Sequence, residues 1–230
     1  MPREFCWTCR RPKAACLCPS EPPLDTSTRI VLLMHPMEWK REKCTTGRLA
    51  CLNLANSEII AGLAFDGNPR FRALVDDRTN FPVLLYPGKG ALELGGDPLQ
   101  RETLGRFFGD GQGGNGKRLV VFLIDATWAC AKAVARASPE LMALPRLAVA
   151  PRERSRWLIK RQPAEWCLST IEAIHELLLA LDEAGLDAYD NRTRLLDVFA
   201  RMQEYQIARH GTPGRNSALA AHRPGLDFGA

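Results

Sequence analysis

No apolar run in this 230-residue sequence is long enough to cross a bilayer. The two longest, Ile30–Met34 and Leu119–Ile124, are strand-sized. The opening Met1-Pro2-Arg3-Glu4-Phe5 lacks the apolar stretch of a secretory signal. Together these absences predict a soluble cytoplasmic protein with no membrane partner. No internal repeat is present. Neither sign of charge dominates: Lys and Arg exceed Asp and Glu by 31 to 26, for a net charge of +5. That surplus is compatible with a polyanionic partner but does not identify one, so the placement of the charges must decide. Eight cysteines would suit a disulfide scaffold only in a short exported chain, and this chain reads as neither.

What is present falls into three zones. Residues 1–25 are rich in Cys and Pro, and Pro19-Ser20-Glu21-Pro22-Pro23 is too broken for helix or strand. Residues 26–208 alternate short apolar runs with amphipathic segments. Residues 209–230 turn to Gly, Pro, Asn, Arg and Ala and read as a flexible tail. Within the middle zone the strand candidates are Arg29–Met34, Glu58–Ala61, Pro82–Tyr86, Leu119–Ile124 and Arg146–Val149. They are continuous apolar runs, the pattern of strands covered on both faces. Helical spacing occupies Thr46–Asn56, Leu99–Phe108, Thr127–Ala137, Thr170–Ala184 and Arg192–Arg209. Strand alternating with helix predicts an α/β fold, a mostly parallel sheet with helices on both faces. The Gly-rich stretches Gly88–Gly96 and Gly109–Gly116 read as flexible loops.

Four cysteines are bunched at the start, Cys6-x2-Cys9-x6-Cys16-x-Cys18. Tetrahedral zinc takes four such ligands, and this set predicts a small four-cysteine zinc knuckle, although its C-x-C half is tighter than usual. Arg10, Arg11 and Lys13 lie between the ligands and give the knuckle a basic tip suited to RNA, or incidental charge on a structural clip. Cys44, Cys51, Cys130 and Cys167 read as core fillers.

In parallel α/β sheets ligands bind beyond the carboxyl ends of the strands. Those positions hold His35-Pro36-Met37-Glu38, Tyr86-Pro87-Gly88 and Asp125-Ala126-Thr127-Trp128. Asp125, between a strand and a helix, has an ordinary reading as a helix N-cap. Trp128 at the mouth of the same turn adds a ring able to pack on a nucleobase. Ser169-Thr170-Ile171-Glu172 spells a capping box opening an amphipathic helix, whose free N–H groups suit an anionic or polar part of a ligand. Arg152, Arg154, Arg156, Lys160 and Arg161, with Trp157 interleaved, form either a solvated loop or a stretch that follows an RNA backbone. Arg41, Lys43 and Arg48 form a second basic group beside His35-Pro36.

The ordered set of Cys6/Cys9/Cys16/Cys18, His35-Pro36-x-Glu38, Thr46-Gly47-Arg48-Leu49, Leu85-Tyr86-Pro87, Asp125-Ala126-Thr127-Trp128, Gln162-Pro163 and Leu168-Ser169-Thr170-Ile171-Glu172-Ala173 resembles the DTW-domain family, the tRNA-uridine aminocarboxypropyltransferases. The likeness runs from Cys6 to about Tyr205. Thr45 departs from the Asn usual before Thr-Gly-Arg in the bacterial pattern. The resemblance implies a SPOUT-like sheet with a trefoil knot and transfer of the 3-amino-3-carboxypropyl group of S-adenosylmethionine to N3 of a uridine in tRNA, releasing methylthioadenosine. It implies Asp125, Thr127 and Trp128 at the reaction centre. Leu85, Tyr86, Pro87, Asp125, Gln162, Pro163, Leu168, Ser169 and Thr170 would hold S-adenosylmethionine. RNA contacts fall to His35, Arg48, Arg152, Arg154, Arg156, Lys160 and Arg161. The competing readings are a SPOUT-like RNA methyltransferase using the same co-substrate, the same transfer onto ribosomal RNA, and a non-catalytic zinc-stabilised RNA-binding module. The sequence leaves the oligomeric state open.

Overall fold

The computed structural model of the protein describes residues 4–41, 45–94, 116–160 and 167–210, without the side chains of Lys40, Arg41, Trp128 and His210. A short antiparallel hairpin, β1 (Phe5–Cys6) with β2 (Arg11–Pro12), precedes the main body. The main sheet consists of β3 (Arg29–Met34), β4 (Ser57–Ala61), β5 (Asn80–Leu85), β6 (Leu92–Leu94), β7 (Arg118–Asp125) and β8 (Arg146–Val149). Its spatial order is β4-β3-β7-β5-β8-β6, and every neighbouring pair is parallel. The helices are α1 (Pro36–Arg41), α2 (Thr46–Asn53), α3 (Pro69–Val75), α4 (Trp128–Ala137), α5 (Pro139–Ala143), α6 (Thr170–Glu183) and α7 (Arg194–His210).

The central strands explain the continuous apolar runs. Side chains alternate across a strand. Ile30 and Leu32 of β3, with Leu119, Val121 and Leu123 of β7, therefore join the core cluster that contains α2, α6 and α7 residues. Val31, Leu33, Val120 and Phe122 join the second cluster, with Phe71 and Leu74 of α3, Val134 of α4 and Leu141 of α5. Both faces are covered, so polar alternation would place a polar group in a core. The same alternation sets the site: Asp125, two residues beyond Leu123, falls on the α2/α6 face.

All five expected strands begin and end within two residues of their observed limits, and Arg29–Met34 and Arg146–Val149 match at both ends. Pro82–Tyr86 proves to start two residues earlier, at Asn80. The reading of Gly88–Gly96 as a flexible loop is corrected. Leu92–Leu94 forms β6, the edge strand on β8, after a turn at Gly88 and Gly90, whose φ values are 137° and 80°. Arg146 donates to the Lys89 carbonyl at 2.6 Å and ties that turn to the sheet. Three residues are too few to register as a period. Three short helices were also not expected. One of them, α3, is set by local chemistry: the Asn68 side chain accepts from Arg70 N at 2.9 Å and Phe71 N at 3.1 Å, and Pro69 opens the first turn. The expected helix Leu99–Phe108, almost all of the Gly109–Gly116 loop and the tail from 211 onward lie outside the described residues.

The N-terminal hairpin is joined to this body. Leu17 belongs to the main core cluster, and Leu24 bridges to Leu54 at the end of α2. Arg194 of α7 donates to the carbonyls of Glu21 and Pro22 at 3.0 and 2.6 Å.

Candidate active site

β7 is buried along almost its whole length and ends in Asp125. The strand register carries Met34 opposite Asp125, and His35 N–H donates to the Asp125 carbonyl at 3.1 Å, so the loop after β3 is fixed against the loop after β7. The Asp125 carboxylate points among the first turns of two helices. Thr170, the first residue of α6, donates its hydroxyl to Oδ1 at 2.7 Å. On the other side lies Gly47 in the first turn of α2. A Cβ built there would sit 2.3 Å from Asp125 Oδ2 and 2.8 Å from Leu32 Cδ1. Glycine is thus what lets α2 close over the carboxylate.

Asp125 is 6% exposed, and its Oδ2 is buried with no hydrogen-bond partner among the described residues. Burial raises the pKa of this carboxyl above the ordinary value; the Thr170 hydroxyl and the charges of Lys160 and Arg48 oppose that shift. The reading of Asp125 as a helix N-cap is therefore corrected. The cap of α4 is Thr127, whose Oγ1 accepts from Cys130 N at 3.4 Å. Asp125 sits two residues earlier, inside the sheet, where its backbone completes the ladder. An unsatisfied acceptor in a low-dielectric niche is costly.

The α6 capping box is formed as the sequence predicts. Glu172 accepts from the Ser169 N–H at 2.8 Å and its hydroxyl at 2.6 Å. The same carboxylate, almost fully buried, also accepts from Ser155 Oγ at 2.8 Å and Arg156 N at 2.5 Å. Gln203 of α7 holds the next residues, accepting from Leu158 N at 2.5 Å and donating to Arg156 O at 2.9 Å. The loop after β8 is thereby tied to the helix that carries Thr170. Sequence reading found the cap but not this second task, because Ser155 and Arg156 are distant in the chain.

The basic residues separate. Arg152 pairs with Glu183 at 2.6 Å and with Glu176 at 3.4 Å, both on α6. Arg156 pairs with Glu153 at 2.9 Å. Arg154 is exposed. Lys160 lies 5.5 Å from the centre of the Trp157 ring, and Trp157 is half-buried, edge-on to Phe199 of α7 at 4.9 Å. Trp157 is therefore part of the packing, not a free stacking ring. Arg48, in the first turn of α2, stacks over Trp39 of α1 at 4.7 Å. Arg10, from the N-terminal hairpin, stacks over the same ring at 4.4 Å. Burial and the nearby Arg10 charge lower the Arg48 pKa, while Asp125 and Cys9 pull it back. His35 is half-buried and accepts from Met37 N through Nδ1 at 3.2 Å.

Leu85 and Tyr86 are half-buried at the end of β5, and Tyr86 N–H donates to Leu147 O at 2.8 Å. Pro87 is exposed, Leu168 half-buried and Ser169 buried. Arg161, Gln162, Pro163 and the Trp128 side chain lie outside the described residues.

Cys6, Cys9, Cys16 and Cys18 bring their sulfurs within 4.8 Å of one another. The Cys6–Cys18 and Cys9–Cys16 separations are 3.6 and 3.7 Å. Four thiolates at ~2.3 Å from one tetrahedral ion stand about 3.8 Å apart, whereas a disulfide would need ~2.05 Å. The cluster has the spacing of a tetrahedral metal site. Among the other cysteines, Cys51 is packed inside and its thiol is pushed up to about 12 by burial.

Among the described residues five large hydrophobics are exposed: Phe5, Trp7, Met37, Leu63 and Leu158. Met37 follows β3, Leu63 follows β4, Leu158 follows β8, and Phe5 and Trp7 belong to the hairpin that touches α1. Met37, Leu63 and Leu158 thus lie in segments that leave the carboxyl ends of strands of the sheet whose β7 end holds Asp125. No described helix is long and apolar enough to cross a membrane.

The DTW domain matches residues 3–207. The chain is 32% identical over 185 residues to tRNA-uridine aminocarboxypropyltransferase 2 of Drosophila melanogaster, covering 78% of this chain and 67% of that protein. It is 29% identical over 189 residues to the Mus musculus protein of the same name, covering 79% of this chain and 57% of that one. No solved structure matches. The match spans the hairpin, the sheet and the seven helices among the described residues, the last of them up to residue 207, and the Asp-x-Thr-Trp signature falls at the buried carboxylate where β7 ends: this chain belongs to the DTW domain family.

Proposed function

We propose that this protein transfers the 3-amino-3-carboxypropyl group of S-adenosylmethionine to N3 of a uridine in tRNA. The observation that carries the reading is Asp125, a buried carboxylate with a raised pKa and one oxygen lacking a donor among the described residues, at the carboxyl end of a parallel sheet. The names of the fly and mouse relatives supply the substrate class and the transferred group.

S-adenosylmethionine supplies an electrophilic carbon next to a positively charged sulfur. The N3 lone pair of uridine forms the new C–N bond, the C–S bond breaks, and methylthioadenosine leaves. The N3 proton must depart, and Asp125 accepts it. An ordinary carboxylate is a weak base for that proton, and burial moves Asp125 in the useful direction. Thr170 holds Oδ1 and so leaves Oδ2 as the proton acceptor. Selection of the aminocarboxypropyl carbon over the methyl is a matter of orientation, which the ends of β5, β7 and α6 set. Leu85, Tyr86, Pro87, Leu168, Ser169 and Thr170, with Gln162 and Pro163, line the donor; Thr127 and Trp128 flank the uridine. His35, Arg48, Arg154 and Arg161 hold RNA phosphates, with Arg152, Arg156 and Lys160 framing the same face. The four N-terminal cysteines hold zinc, and the sheet carries the SPOUT-like connection.

Incubation with bulk tRNA and S-adenosylmethionine, followed by mass analysis of nucleosides and assay of methylthioadenosine, tests the reaction. An added aminocarboxypropyl mass with stoichiometric methylthioadenosine is expected. A methylated nucleoside would replace this reading with a methyltransferase. Asp125→Asn should lose at least tenfold in turnover while binding tRNA and co-substrate normally, within the usual reach of a general base. If Asn keeps most turnover, Asp125 positions substrate and is not the base.

A further inference from the structure

We propose that Phe5 and Trp7 on the metal-clamped hairpin form a stacking site for an unpaired nucleobase of the RNA, with Arg10 beside it for the phosphate. The inference rests on the RNA substrate proposed above and adds a second contact, away from Asp125.

Trp7 is 84% exposed, the most exposed of the five large apolar side chains. A tryptophan normally buries most of its large apolar surface, and here nothing among the described residues covers more than a small part of it. Phe5, 40% exposed, meets it edge-on, with ring centres 5.1 Å apart at 69°. That contact braces the indole while leaving most of its surface to solvent. Both rings adjoin the clustered thiols: Phe5 precedes Cys6, and Trp7 lies between Cys6 and Cys9. A presented ring on a fixed loop loses little conformational freedom when a base stacks on it.

The same hairpin carries a charge of the matching sign. Arg10 occupies the left-handed region at φ 56°, a conformation that a non-glycine residue adopts only when its surroundings impose it. The hairpin pairing of Cys6 with Arg11 imposes it here, and the outcome is that Arg10 reaches Trp39 at 4.4 Å. Arg48 follows over the same ring, next to Gly47 and Asp125. A run of cation, ring and cation therefore leads from the hairpin to the buried carboxylate, and the exposed Trp7 stands three residues before its first cation. Aromatic faces combined with backbone cations are the means by which single-stranded nucleic acid is held without sequence readout.

Fluorescence anisotropy of a labelled tRNA and of a labelled single-stranded RNA oligomer tests the site. Trp7→Ala should weaken both about tenfold, and Trp7→Phe, which keeps a ring, should recover most of the loss. Indole fluorescence that wild type loses on adding the oligomer should be missing from the Trp7→Phe protein. Metal content and melting temperature should be unchanged in both variants, since Trp7 is outside the core. Equal affinity of Trp7→Ala and wild type overturns the stacking site, whether or not the enzyme modifies tRNA. A wild type that binds the oligomer through Trp7 but modifies no tRNA overturns the proposed reaction and supports the stacking site.

Discussion

Asp125 and Gly47 illustrate how one residue fixes another. The carboxylate occupies the volume a Gly47 side chain would need, with 2.3 Å between Oδ2 and the missing Cβ. Gly47→Ala gains up to about 1 kcal/mol of helix propensity, but overpacking of this kind typically costs about 1–3 kcal/mol. The clash wins, and the variant should unfold at lower urea and lose activity; equal stability would show that α2 slides freely. Asp125 has a second signature, in pH. A carboxyl whose pKa is higher folded than unfolded binds its proton more tightly when folded. Its contribution is fully present below the unfolded value, ordinarily 3.8, and is lost as pH rises through the folded value. Asp125→Asn should therefore melt higher than wild type at pH 7, with the gain shrinking toward pH 4. Thermal melts at the two pH values decide it, and no gain at pH 7 would mean that Oδ2 already has a donor.

At the scale of elements, a metal ion held by the four clustered thiols is expected to brace the N-terminal hairpin. Two residues per strand are far below what holds a hairpin in water, and the four thiols are what close it. Leu17 and Leu24 anchor the following segment to the body by themselves. Stripping the metal with a strong chelator should open the hairpin and withdraw Arg10 from Trp39, while the sheet keeps its melting temperature within a few degrees. Limited trypsin digestion reads this out: the Arg10–Arg11 bond should be cut rapidly only in the stripped protein. Equal cutting rates before and after removal would mean that the hairpin stands without metal. The elements were legible in the sequence wherever they were long. Arg29–Met34 and Thr170–Glu183 announced themselves by apolar runs and a capping box. β6 and α5, three and five residues long, carry too little periodicity to be read. They form because β8 offers β6 an edge, and because Asp66 accepts from Glu140 N and Leu141 N in α5.

For the whole molecule, the larger core cluster encloses a titrating group that opposes Asp125. His175 of α6 is buried against Tyr189, with Nδ1 3.1 Å from the phenol oxygen. Burial first, then the charges of Arg156 and Arg152, lower its pKa from 6.5 to about 4, against the pull of Glu172 and Glu153. A histidine that is harder to protonate when folded contributes fully above pH 6.5 and loses that contribution as pH falls toward 4, on the order of 3 kcal/mol. Urea midpoints should fall across that window, and His175→Gln should flatten the fall; an unchanged slope would place the acid sensitivity elsewhere. By itself the sequence determined the layered α/β class, the four-thiol cluster and the strand end that carries the Asp-x-Thr-Trp signature, because apolar period and ligand spacing are local properties. Only the tertiary structure decided that Asp125 is no helix cap but a buried carboxylate between Gly47 and Thr170, and that Glu172 ties the β8 loop to α6. The same holds for the hairpin, which reaches the site through Arg10 and Trp39. Each of those facts is a contact between segments far apart in the chain, set by strand order and by which face each side chain takes.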